Sequence, residues 1–596
     1  MFLAAVFLKR LVLTSLAIIA FGISTAYALT FQAVKFESYD GTMIDAQLFK
    51  PTGYNSSDES YPAMVLVPGW TLPKETTYEN AIEFARRGFV VLSYSPRGFW
   101  GSEGLVNVAG PNDRDDFSAA IDWLLDNSRV DIDRIGSGGV SYGGIVPGMG
   151  TSFDNRISAL AMMDFPAEVL DAFYQGETPN KFWTQLLEFT SRLGNPDPEI
   201  RQNLNDLFAH RRIPELIAWA EARSPMQFID NINDRQLPVF ISLNYRDRMF
   251  RPNSGIRYFE ALTGPKKLQL HDGIHGMPDE AYAGYRSNTY FDWFDYWLND
   301  ADNGVMDRPI ADFQLHRSEE RVQYYDWPSA DISDIPIFLS PNDASYTGDL
   351  LLEPDVLNDI WLLGAFFSNM EDEQPTSGQP LTDAQTDIYL DFSQLNPDKA
   401  HTYQSNLLPN GLKLRGAPTV NLRIQSRYEQ VQVVAYLYQV NPDGQALYLT
   451  HGARTLYDLF PGELVDIEIE MTSLMYDFEP GTRLGLAFDT QDPQFVKPPN
   501  AIFNLDVIHS GLVPNTLWLP VDGDVAFAAT NQVPGDQTNP GSDEGDNEDG
   551  SQSGDRATAS NSSNSNSGGS SGGSINLLFL VLTTMVCAAR RSARRR

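Results

Sequence analysis

Cysteine is almost absent from this sequence. The 596 residues include a single cysteine, Cys587, which lies near the C-terminus. The rest of the chain can therefore form no disulfide, no cysteine-based metal site and no thiol nucleophile. Histidine is scarce as well, with seven residues, and no HExxH motif occurs. The sequence therefore predicts a body that is stabilised by packing alone and has no catalytic metal.

Basic residues are outnumbered by acidic ones. Lys and Arg number 43 against 78 Asp and Glu, so the formal net charge is −35. Because proteins that bind nucleic acid neutralise its phosphates with clustered Lys and Arg, this balance argues against a nucleic-acid partner. We interpret the acidic surface as one that keeps the protein soluble. The length, with 42% hydrophobic residues, predicts two or three folded units with sizeable cores.

The N-terminus has the pattern of a secretory signal peptide. Two basic residues precede an apolar run from Leu11 to Ile23, and the small-x-small triplet Ala26-Tyr27-Ala28 follows. We therefore expect residues 1–28 to direct the chain to the export machinery and to be removed, so that the mature protein begins near Leu29. The alternative is an uncleaved membrane anchor, for which the run is short against the roughly 20 residues of a spanning helix.

The C-terminus carries a second candidate signal. We assign residues 526–574 as a disordered linker, because the stretch from Asn531 onward is rich in Gly, Ser, Asn and Asp. Gly572-Gly573, an apolar segment at 575–589 and an arginine cluster follow in that order. This order resembles the GlyGly-CTERM sorting signal of Gram-negative bacteria, whose anchor a rhomboid-type sortase removes. We expect residues 575–596 to anchor the chain transiently, with the arginines on the cytoplasmic side; a plain short membrane anchor is the alternative.

The first part of the body alternates between strand and helix patterns. Met64–Val67 and Phe89–Ser93 are short apolar runs, typical of strands that are buried on both faces. Residues 79–87 and 113–126 each place apolar residues on one helical face. Because strands and helices alternate along the chain, we predict an α/β fold with a parallel sheet and crossover helices.

Residues 163–228 break this alternation. They contain the helical patterns Phe182–Leu193 and Ile213–Ala222, and no convincing strand pattern. We interpret this segment as a helical cap that is inserted between two parts of the α/β region, residues 29–162 and 229–325.

Residues 326–525 have the pattern of an all-β domain. Val420, Leu422 and Ile424 alternate with polar residues, as in a half-buried strand. Further along, two apolar runs flank the turn sequence 441–444, Asn-Pro-Asp-Gly, in which proline sets φ and glycine tolerates positive φ. Many short strands joined by such turns predict a β-sandwich or jelly roll.

A GxSxG motif supplies the candidate nucleophile. Gly139-Val140-Ser141-Tyr142-Gly143 follows an apolar segment and two strand–helix units. A serine hydroxyl is a weak nucleophile, so it needs a tight turn that exposes Oγ beside a base and oxyanion donors. The glycines let a strand and a helix crowd together at that turn. Although the motif alone is common, its position here predicts Ser141 as the nucleophile of a serine hydrolase.

The base and the acid must follow Ser141 in the order acid, histidine, each at the C-terminal end of a strand. In the α/β part, His271 and His275 both come after the predicted strand at 267–270. We favour His275, which lies further past the strand and precedes a glycine, and keep His271 as the alternative.

The acid is expected after the preceding strand. The apolar run at 239–243 leads to Asp247, which we predict to orient the imidazole and stabilise its charged form. The weaker alternative is Asp272. For the oxyanion hole, the first predicted donor is the backbone N–H of Tyr142. The second is the backbone N–H of Trp70, in the loop after an early strand; alternatively, the Trp70 ring simply lines the pocket.

Several segments together resemble the CocE/NonD hydrolases and X-Pro dipeptidyl-peptidases of peptidase family S15. Arg97–Gly104 looks like the RGxGxSxG segment of that family. The other matching segments are Asp133–Gly136 and Gly139–Gly144 at the nucleophile, Asp247 with Phe250 and His275-Gly276 in the acid and histidine loops, and Gly416–Pro418 and Pro480–Leu484 in the C-terminal galactose-binding-like jelly roll.

The resemblance spans residues 29–521 and implies an α/β-hydrolase domain with a cap, followed by a jelly-roll domain. It implies hydrolysis of an ester or amide through an acyl-enzyme, without a cofactor. This chain departs from the family at three places. Cocaine-esterase-like members have a tyrosine oxyanion donor where Pro68-Gly69-Trp70 stands, Ser95 replaces a usual Asp, and Trp100 replaces a small residue. We expect the triad to carry over and the tyrosine donor not to.

The substrate is open between a small-molecule ester or amide and a peptide. A dipeptidyl-peptidase must bind a free N-terminal ammonium, and Asp164, Asp171 and Glu177 in the cap could do this, although such carboxylates are more often solvated charges. A protein of another class, a non-catalytic surface binding protein on a hydrolase scaffold, is the competing hypothesis. The ordered Ser, Asp and His argue against it, although fold alone does not decide function.

Overall fold

The computed structural model describes residues 29–56, 58–278, 282–342, 347–355, 389–395, 400–496 and 505–529. The described residues up to Phe527 belong to one compact unit. The predicted signal peptide (1–28), the linker beyond residue 529 and the predicted anchor (575–596) lie outside the described residues. Within the described part of the chain, no helix is long and apolar enough to cross a membrane.

Ten strands of the described chain form the first sheet, with β3 and β4 buried along almost their whole length, as the sequence predicted. They are β1 (Thr30–Glu37), β2 (Met43–Lys50), β3 (Tyr61–Leu66), β4 (Val90–Tyr94), β5 (Val130–Val140), β6 (Ile157–Met163), β9 (Val239–Asn244), β10 (Lys266–His271), β11 (Ala311–Gln314) and β12 (Arg321–Tyr324). Their order is β1-β2-β4-β3-β5-β6-β9-β10-β11-β12, and all neighbours from β4 to β11 are parallel. The carboxyl ends of β5, β9 and β10 therefore meet at one edge.

Helices cover both faces of this sheet. Phe84 and Phe294 pack together on one face, whereas Phe117 and Ile145 belong to a separate core cluster. The helices are α1 (Tyr78–Arg86), α2 (Pro111–Asn127), α3 (Tyr142–Thr151), α4 (Val169–Phe173), α5 (Lys181–Ser191), α6 (Pro198–Phe208), α7 (Ile213–Glu221), α8 (Ile229–Asn233), α9 (Pro252–Ala261) and α10 (Ala283–Asn299). Short 3₁₀ helices lie at Tyr54–Ser56, Lys74–Thr77, Pro225–Phe228, Val305–Asp307 and Phe392–Gln394.

The cap is mainly helical, but it also contains two short strands that the sequence did not predict. Helices α4 to α7 make up most of it, and two residue pairs, β7 (Tyr174–Gln175) and β8 (Thr178–Pro179), form a small antiparallel sheet. Strands of two residues are too short to show the alternation by which strands are predicted. Met163 belongs to β6 rather than to the cap.

Thirteen strands of the described chain form a second, curled sheet, in which β25 pairs with β13, β17 and β18. They are β13 (Ile332–Pro341), β14 (Thr347–Leu351), β15 (Tyr389–Asp391), β16 (His401–Ser405), β17 (Leu412–Gly416), β18 (Thr419–Ser426), β19 (Val431–Val440), β20 (Gln445–Leu456), β21 (Leu464–Glu470), β22 (Leu474–Phe478), β23 (Arg483–Asp489), β24 (Leu505–Val507) and β25 (Thr516–Asp522). The predicted turn joins β19 to β20, where Gly444 has a φ of 88° and its N–H donates to Asn441.

The two sheets share a hydrophobic core. One cluster of buried side chains runs from Met162 and Ile241 of the first sheet through Trp327 to Leu422 and Leu486 of the second. Because apolar burial is the main source of stability, this shared core packs the all-β domain firmly against the α/β domain. The architecture is therefore an α/β-hydrolase domain with an inserted cap, followed by an all-β domain.

Candidate active site

Ser141 lies at the sharp turn between β5 and α3. Its φ of 62° and ψ of −122° are uncommon and costly for a residue with a side chain. Its N–H donates to Met163 O at 2.8 Å, which ties the turn to β6. A Cβ on Gly139 would lie 2.9 Å from Gly143 O, and one on Gly143 would lie 2.2 Å from Val67 O. The glycines of the motif are therefore required for strand β5, helix α3 and the end of β3 to meet here.

His275 connects Ser141 to Asp247. Its Nε2 lies 2.9 Å from Ser141 Oγ, and its Nδ1 lies 2.7 Å from Asp247 Oδ2. Asp247 is buried, and its Oδ1 accepts the backbone N–H groups of Met249 and Phe250, both at 2.9 Å. Because two donors hold Oδ1, Oδ2 stays aimed at the imidazole. The structure thus brings together the three residues that the sequence predicted for the triad.

The alternative histidine and acid occupy other places. His271 is buried in β10, and burial, together with Arg321, lowers its pKa well below the usual range. Asp272 accepts a hydrogen bond from His316 at 2.8 Å and pairs with Arg246 at 3.1 Å. Although burial opposes ionisation of Asp272, His316 and Arg246 lower its pKa to about 2. Both residues contact groups other than Ser141 and His275.

Tyr142 is the first residue of α3. The first N–H groups of a helix have no partner within the helix, and the helix dipole makes them suited to bind a developing negative charge. The Tyr142 side chain is anchored by two hydrogen bonds: its hydroxyl donates to Asp113 at 2.8 Å and accepts the Ala109 N–H at 2.9 Å. Burial, reinforced by Asp116, raises the pKa of Asp113 to about 7.

Trp70 lies beside Tyr142, as the loop after β3 should. The two rings pack edge to face with centroids 5.2 Å apart, and Trp70 Nε1 donates to Thr190 of α5 at 3.1 Å. The Trp70 ring therefore packs against the residue that follows the nucleophile and links it to the cap. The oxyanion role of the Tyr142 and Trp70 backbone N–H groups stays a prediction.

The segment 97–104 has a structural role next to these residues. Arg97 pairs with Asp116 through two hydrogen bonds of 2.7 and 2.6 Å, and both side chains are buried. Arg97 also pairs with Asp40 at 2.9 Å. A Cβ on Gly98 would lie 2.4 Å from Val106 N, so this close approach requires glycine. The segment holds helix α2, and with it Asp113, against the sheet.

The three candidate carboxylates of the cap are all paired with arginines. Asp164 is fully buried, Asp171 is buried, and Glu177 is half-exposed. Each forms an ion pair with arginine, and the interpretation as solvated charges is wrong for Asp164 and Asp171, whose side chains are buried. The partners are Arg286 for Asp164, Arg251 and Arg257 for Asp171, and Arg454 for Glu177.

Sequence reasoning missed the polar groups that support the triad. Asn244 ends β9 and Arg286 lies on α10, and both bind the loop that contains His275. Phe250 also packs edge to face on the His275 ring, with centroids 5.1 Å apart. The position of Asn244 at the carboxyl end of a central strand is the one signal that could have singled it out.

These contacts define a protein of the α/β-hydrolase class with the Ser–His–Asp arrangement of serine hydrolases. A sequence model of the X-Pro dipeptidyl-peptidase (S15 family) matches residues 40–277. A second model, of the X-Pro dipeptidyl-peptidase C-terminal non-catalytic domain, matches residues 303–512. The two matches follow each other and together cover most of the chain. The chain belongs to the X-Pro dipeptidyl-peptidase family S15.

Individual relatives are distant. A protein of Bacillus cereus named "Putative Xaa-Pro dipeptidyl-peptidase" is 23% identical over 340 residues, covering 51% of this chain and 54% of the relative. The chain spans about half the length of the Bacillus relatives it matches. A cocaine esterase of Rhodococcus is 20% identical over 533 residues, covering 75% of this chain and 88% of the relative.

Solved structures share the fold over a longer stretch. A CocE/NonD family hydrolase from Staphylococcus aureus superposes with a TM-score of 0.65 at 14% identity, covering 83% of this chain and 94% of that chain. An α-amino acid ester hydrolase gives a TM-score of 0.63 at 15% identity, covering 84% and 98%. At this level of identity the likeness establishes a common fold and nothing finer.

Proposed function

We propose that this protein hydrolyses ester or amide bonds through an acyl-enzyme formed on Ser141. The observation that carries the proposal is the continuous path from Ser141 Oγ to His275 Nε2 and from His275 Nδ1 to Asp247, with 2.9 and 2.7 Å between the atoms. A non-catalytic scaffold has no need for three buried or half-buried polar residues aligned in this way, so the geometry favours the enzyme over the surface binding protein.

Acylation begins when His275 Nε2 takes the proton of Ser141 Oγ. Oγ then attacks the carbonyl carbon of the substrate, and the carbonyl electron pair moves to its oxygen, which becomes an oxyanion. Asp247 stabilises the imidazolium, because its Oδ2 accepts the Nδ1–H. The intermediate collapses, the bond to the alcohol or amine breaks, and His275 returns its proton to that leaving group.

Deacylation repeats these steps with water as the nucleophile. His275 takes a proton from water, the hydroxyl attacks the acyl carbon, and the proton passes to Ser141 as the acid leaves. The Tyr142 N–H, at the start of α3, and the Trp70 N–H would stabilise both oxyanions. Every proton in this cycle has a donor and an acceptor in the chain or the substrates, so the proposed cycle needs no cofactor.

For the substrate we favour an acyl group without a free N-terminal ammonium. An Xaa-Pro dipeptide would bring such an ammonium, but the cap carboxylates that could bind it are already paired with arginines. At Asp164 and Asp171 the ammonium would have to displace a buried guanidinium, which costs several hydrogen bonds to a charged group. The aromatic side chains of Phe250 and Trp70, which pack on His275 and Tyr142, suit an apolar acyl group.

We also propose that the enzyme works outside the cytoplasm. The support is the signal-peptide pattern at residues 1–28, together with the Gly-Gly, apolar and arginine order that precedes the end of the chain. Export by the first signal and removal of the second by a sortase would release the folded unit from the membrane.

Labelling with a fluorophosphonate tests the function, because this probe reacts with an activated serine irrespective of the substrate. We expect the wild type to be labelled on Ser141 and the Ser141→Ala variant, which loses only Oγ, to stay unlabelled while folded. Hydrolysis of short acyl esters is then compared with that of Xaa-Pro anilides. A labelled alanine variant would refute the nucleophile, and faster cleavage of the anilides would refute the favoured acyl group.

A further inference from the structure

The residues on both sides of His275 are held by buried side chains. Asn244 Nδ2 donates to Ile274 O at 2.9 Å, and Arg286 Nη2 donates to Gly276 O at 2.8 Å. The loop is also closed on itself by reciprocal hydrogen bonds between Ile274 and Met277, each 2.9 Å long. His275 therefore sits between two fixed carbonyl groups.

A single carboxylate holds both of these donors. Asn244 Nδ2 lies 2.9 and 2.8 Å from the two oxygens of Asp164, and Arg286 Nη1 lies 2.9 Å from Asp164 Oδ2. Asp164 follows β6, and its own N–H donates to Ser242 O of β9 at 2.9 Å. One side chain thus ties together the ends of β6 and β9, helix α10 and the histidine loop.

The surroundings of the Asp164 carboxylate disfavour its ionised form. The Asp164 side chain is completely buried, and burial raises its pKa above the usual range, with Arg286 opposing this effect and Asp247 adding to it. A buried carboxylate is tolerated only where donors satisfy it. The side-chain donors here are Asn244 and Arg286, whose remaining contacts all serve the loop.

We propose that Asp164 is a positioning residue for His275 that acts through Asn244 and Arg286. The inference rests on the proposed function, since it assigns Asp164 to the base of that reaction. Loss of the carboxylate would leave two buried donors without their acceptor, so that both carbonyl contacts loosen. A displacement of the imidazole by a fraction of an ångström is enough to slow proton transfer from Ser141.

Asp164→Asn is the direct test, with Asp312→Asn as its matched control. Asp312 of β11 is also buried and also pairs with an arginine, Arg321 at 2.6 Å, but its other side-chain partners are Tyr285 and Gln323 rather than Asn244 and Arg286. Active sites are counted by burst titration, so that unfolded molecules do not enter kcat. We expect Asp164→Asn to lower kcat per titrated site by about 10- to 100-fold with KM changed less than about threefold. Asp312→Asn should lower the thermal midpoint and leave kcat per site unchanged.

Arg286→Lys carries the test if Asp164→Asn does not fold. A lysine keeps the positive charge but has no planar fork with which to reach Asp164 and Gly276 O together. We expect kcat per site to fall at least about fivefold. A kcat per site within twofold of the wild type in either folded variant would overturn the proposal.

A readout without substrate separates this proposal from the proposed function. The proton between His275 Nδ1 and Asp247 should give a low-field NMR resonance in the wild type and in Asp312→Asn, and a broadened or lost one in Asp164→Asn. An unlabelled wild type with this pattern would refute the hydrolase and support the positioning role. A sharp, unshifted resonance in Asp164→Asn would overturn the positioning role even in an active enzyme.

Discussion

The Tyr142 hydroxyl donates a hydrogen bond of 2.8 Å to Asp113, so the residue next to the nucleophile is anchored on a buried carboxyl group of α2. This carboxyl group loses its proton at a higher pH than an ordinary aspartate, because burial and the nearby Asp116 raise its pKa to about 7. The anchor of Tyr142 therefore gains its charge in the neutral pH range, whereas an ordinary aspartate is charged from about pH 4 upward.

The raised pKa of Asp113 predicts that the folded protein becomes less stable as the pH rises. Because its pKa is higher in the folded than in the unfolded chain, its contribution is complete below about pH 4 and is lost as pH rises through about 7. The loss is at most about 4 kcal/mol. Asp113→Asn keeps an acceptor for Tyr142 and cannot ionise, so the free energy of unfolding should fall less over this range. Denaturant titrations of wild type, Asp113→Asn and the more exposed Asp115→Asn measure it. Equal pH slopes in all three would contradict the assignment.

The two histidines near β10 should differ sharply when they are replaced. His275→Ala removes the group between Ser141 and Asp247, so we expect turnover to fall by a factor of order 10⁴ or more. His271→Ala leaves a cavity in β10 and should lower the thermal midpoint, with kcat per titrated site close to that of the wild type. Steady-state kinetics with burst titration distinguish the two. A severe loss of kcat at His271 would reverse the choice of base.

Asp247→Asn should be severe for a reason that the structure specifies. The backbone N–H groups of Met249 and Phe250 would hold the amide oxygen in the place of Oδ1, so the amide NH₂ would face His275 Nδ1. The histidine would then carry its proton on Nε2 and could not accept one from Ser141. We expect a loss of kcat of order 10⁴ at neutral pH. Asp272→Asn, at the other carboxylate, is the control, and an equal loss there would point to a general effect of charge.

Glu470 of β21 should stabilise the contact between the cap and the all-β domain. It pairs with Arg251 at 2.7 Å and with Arg257 at 3.1 Å, and both arginines also bind Asp171 of the cap. Glu470→Gln should lower the free energy of unfolding by about 1–3 kcal/mol. Glu468→Gln, on the same strand, has an exposed side chain and should change it by less than about 0.5 kcal/mol. Similar effects of the two substitutions would show that the ion pairs add nothing.

Processing at both termini is expected to leave the folded unit intact. The mature protein should begin near Leu29, lack residues 575–596 and be found outside the cytoplasm, because both signals lie beyond the described body. Mass spectrometry of terminal peptides from cells and medium checks this. Peptides that contain Arg596 in secreted material would show that the tail is not a sorting signal, and their recovery in the inner-membrane fraction alone would favour a plain anchor.

Much of the fold could be predicted because the hydrophobic patterns of its strands and helices lie within short segments of the sequence. The runs that became β3 and β4 are apolar without interruption, since parallel strands at the centre of a sheet are buried on both faces. Strand β1 was missed for a different reason: most of its residues are exposed, and the alternation of apolar and polar residues is confined to the short stretch 34–37. The pair β7 and β8 was missed because each strand has two residues.

The sequence by itself determined the alternation of strands and helices before Ser141 and the position of Ser141, since the apolar runs and the Gly139–Gly143 spacing are local features of the chain. The choice between His275 and His271 needed the tertiary structure, because both follow the same strand and only one reaches Ser141 Oγ. The contacts of the buried charges also needed the tertiary structure. Asp164, Asn244 and Arg286 lie far apart in sequence, and their hydrogen bonds arise only when β6, β9 and α10 pack together. The burial that raises the pKa of Asp113 likewise depends on how the core packs, and the residues next to Asp113 in the chain do not reveal it.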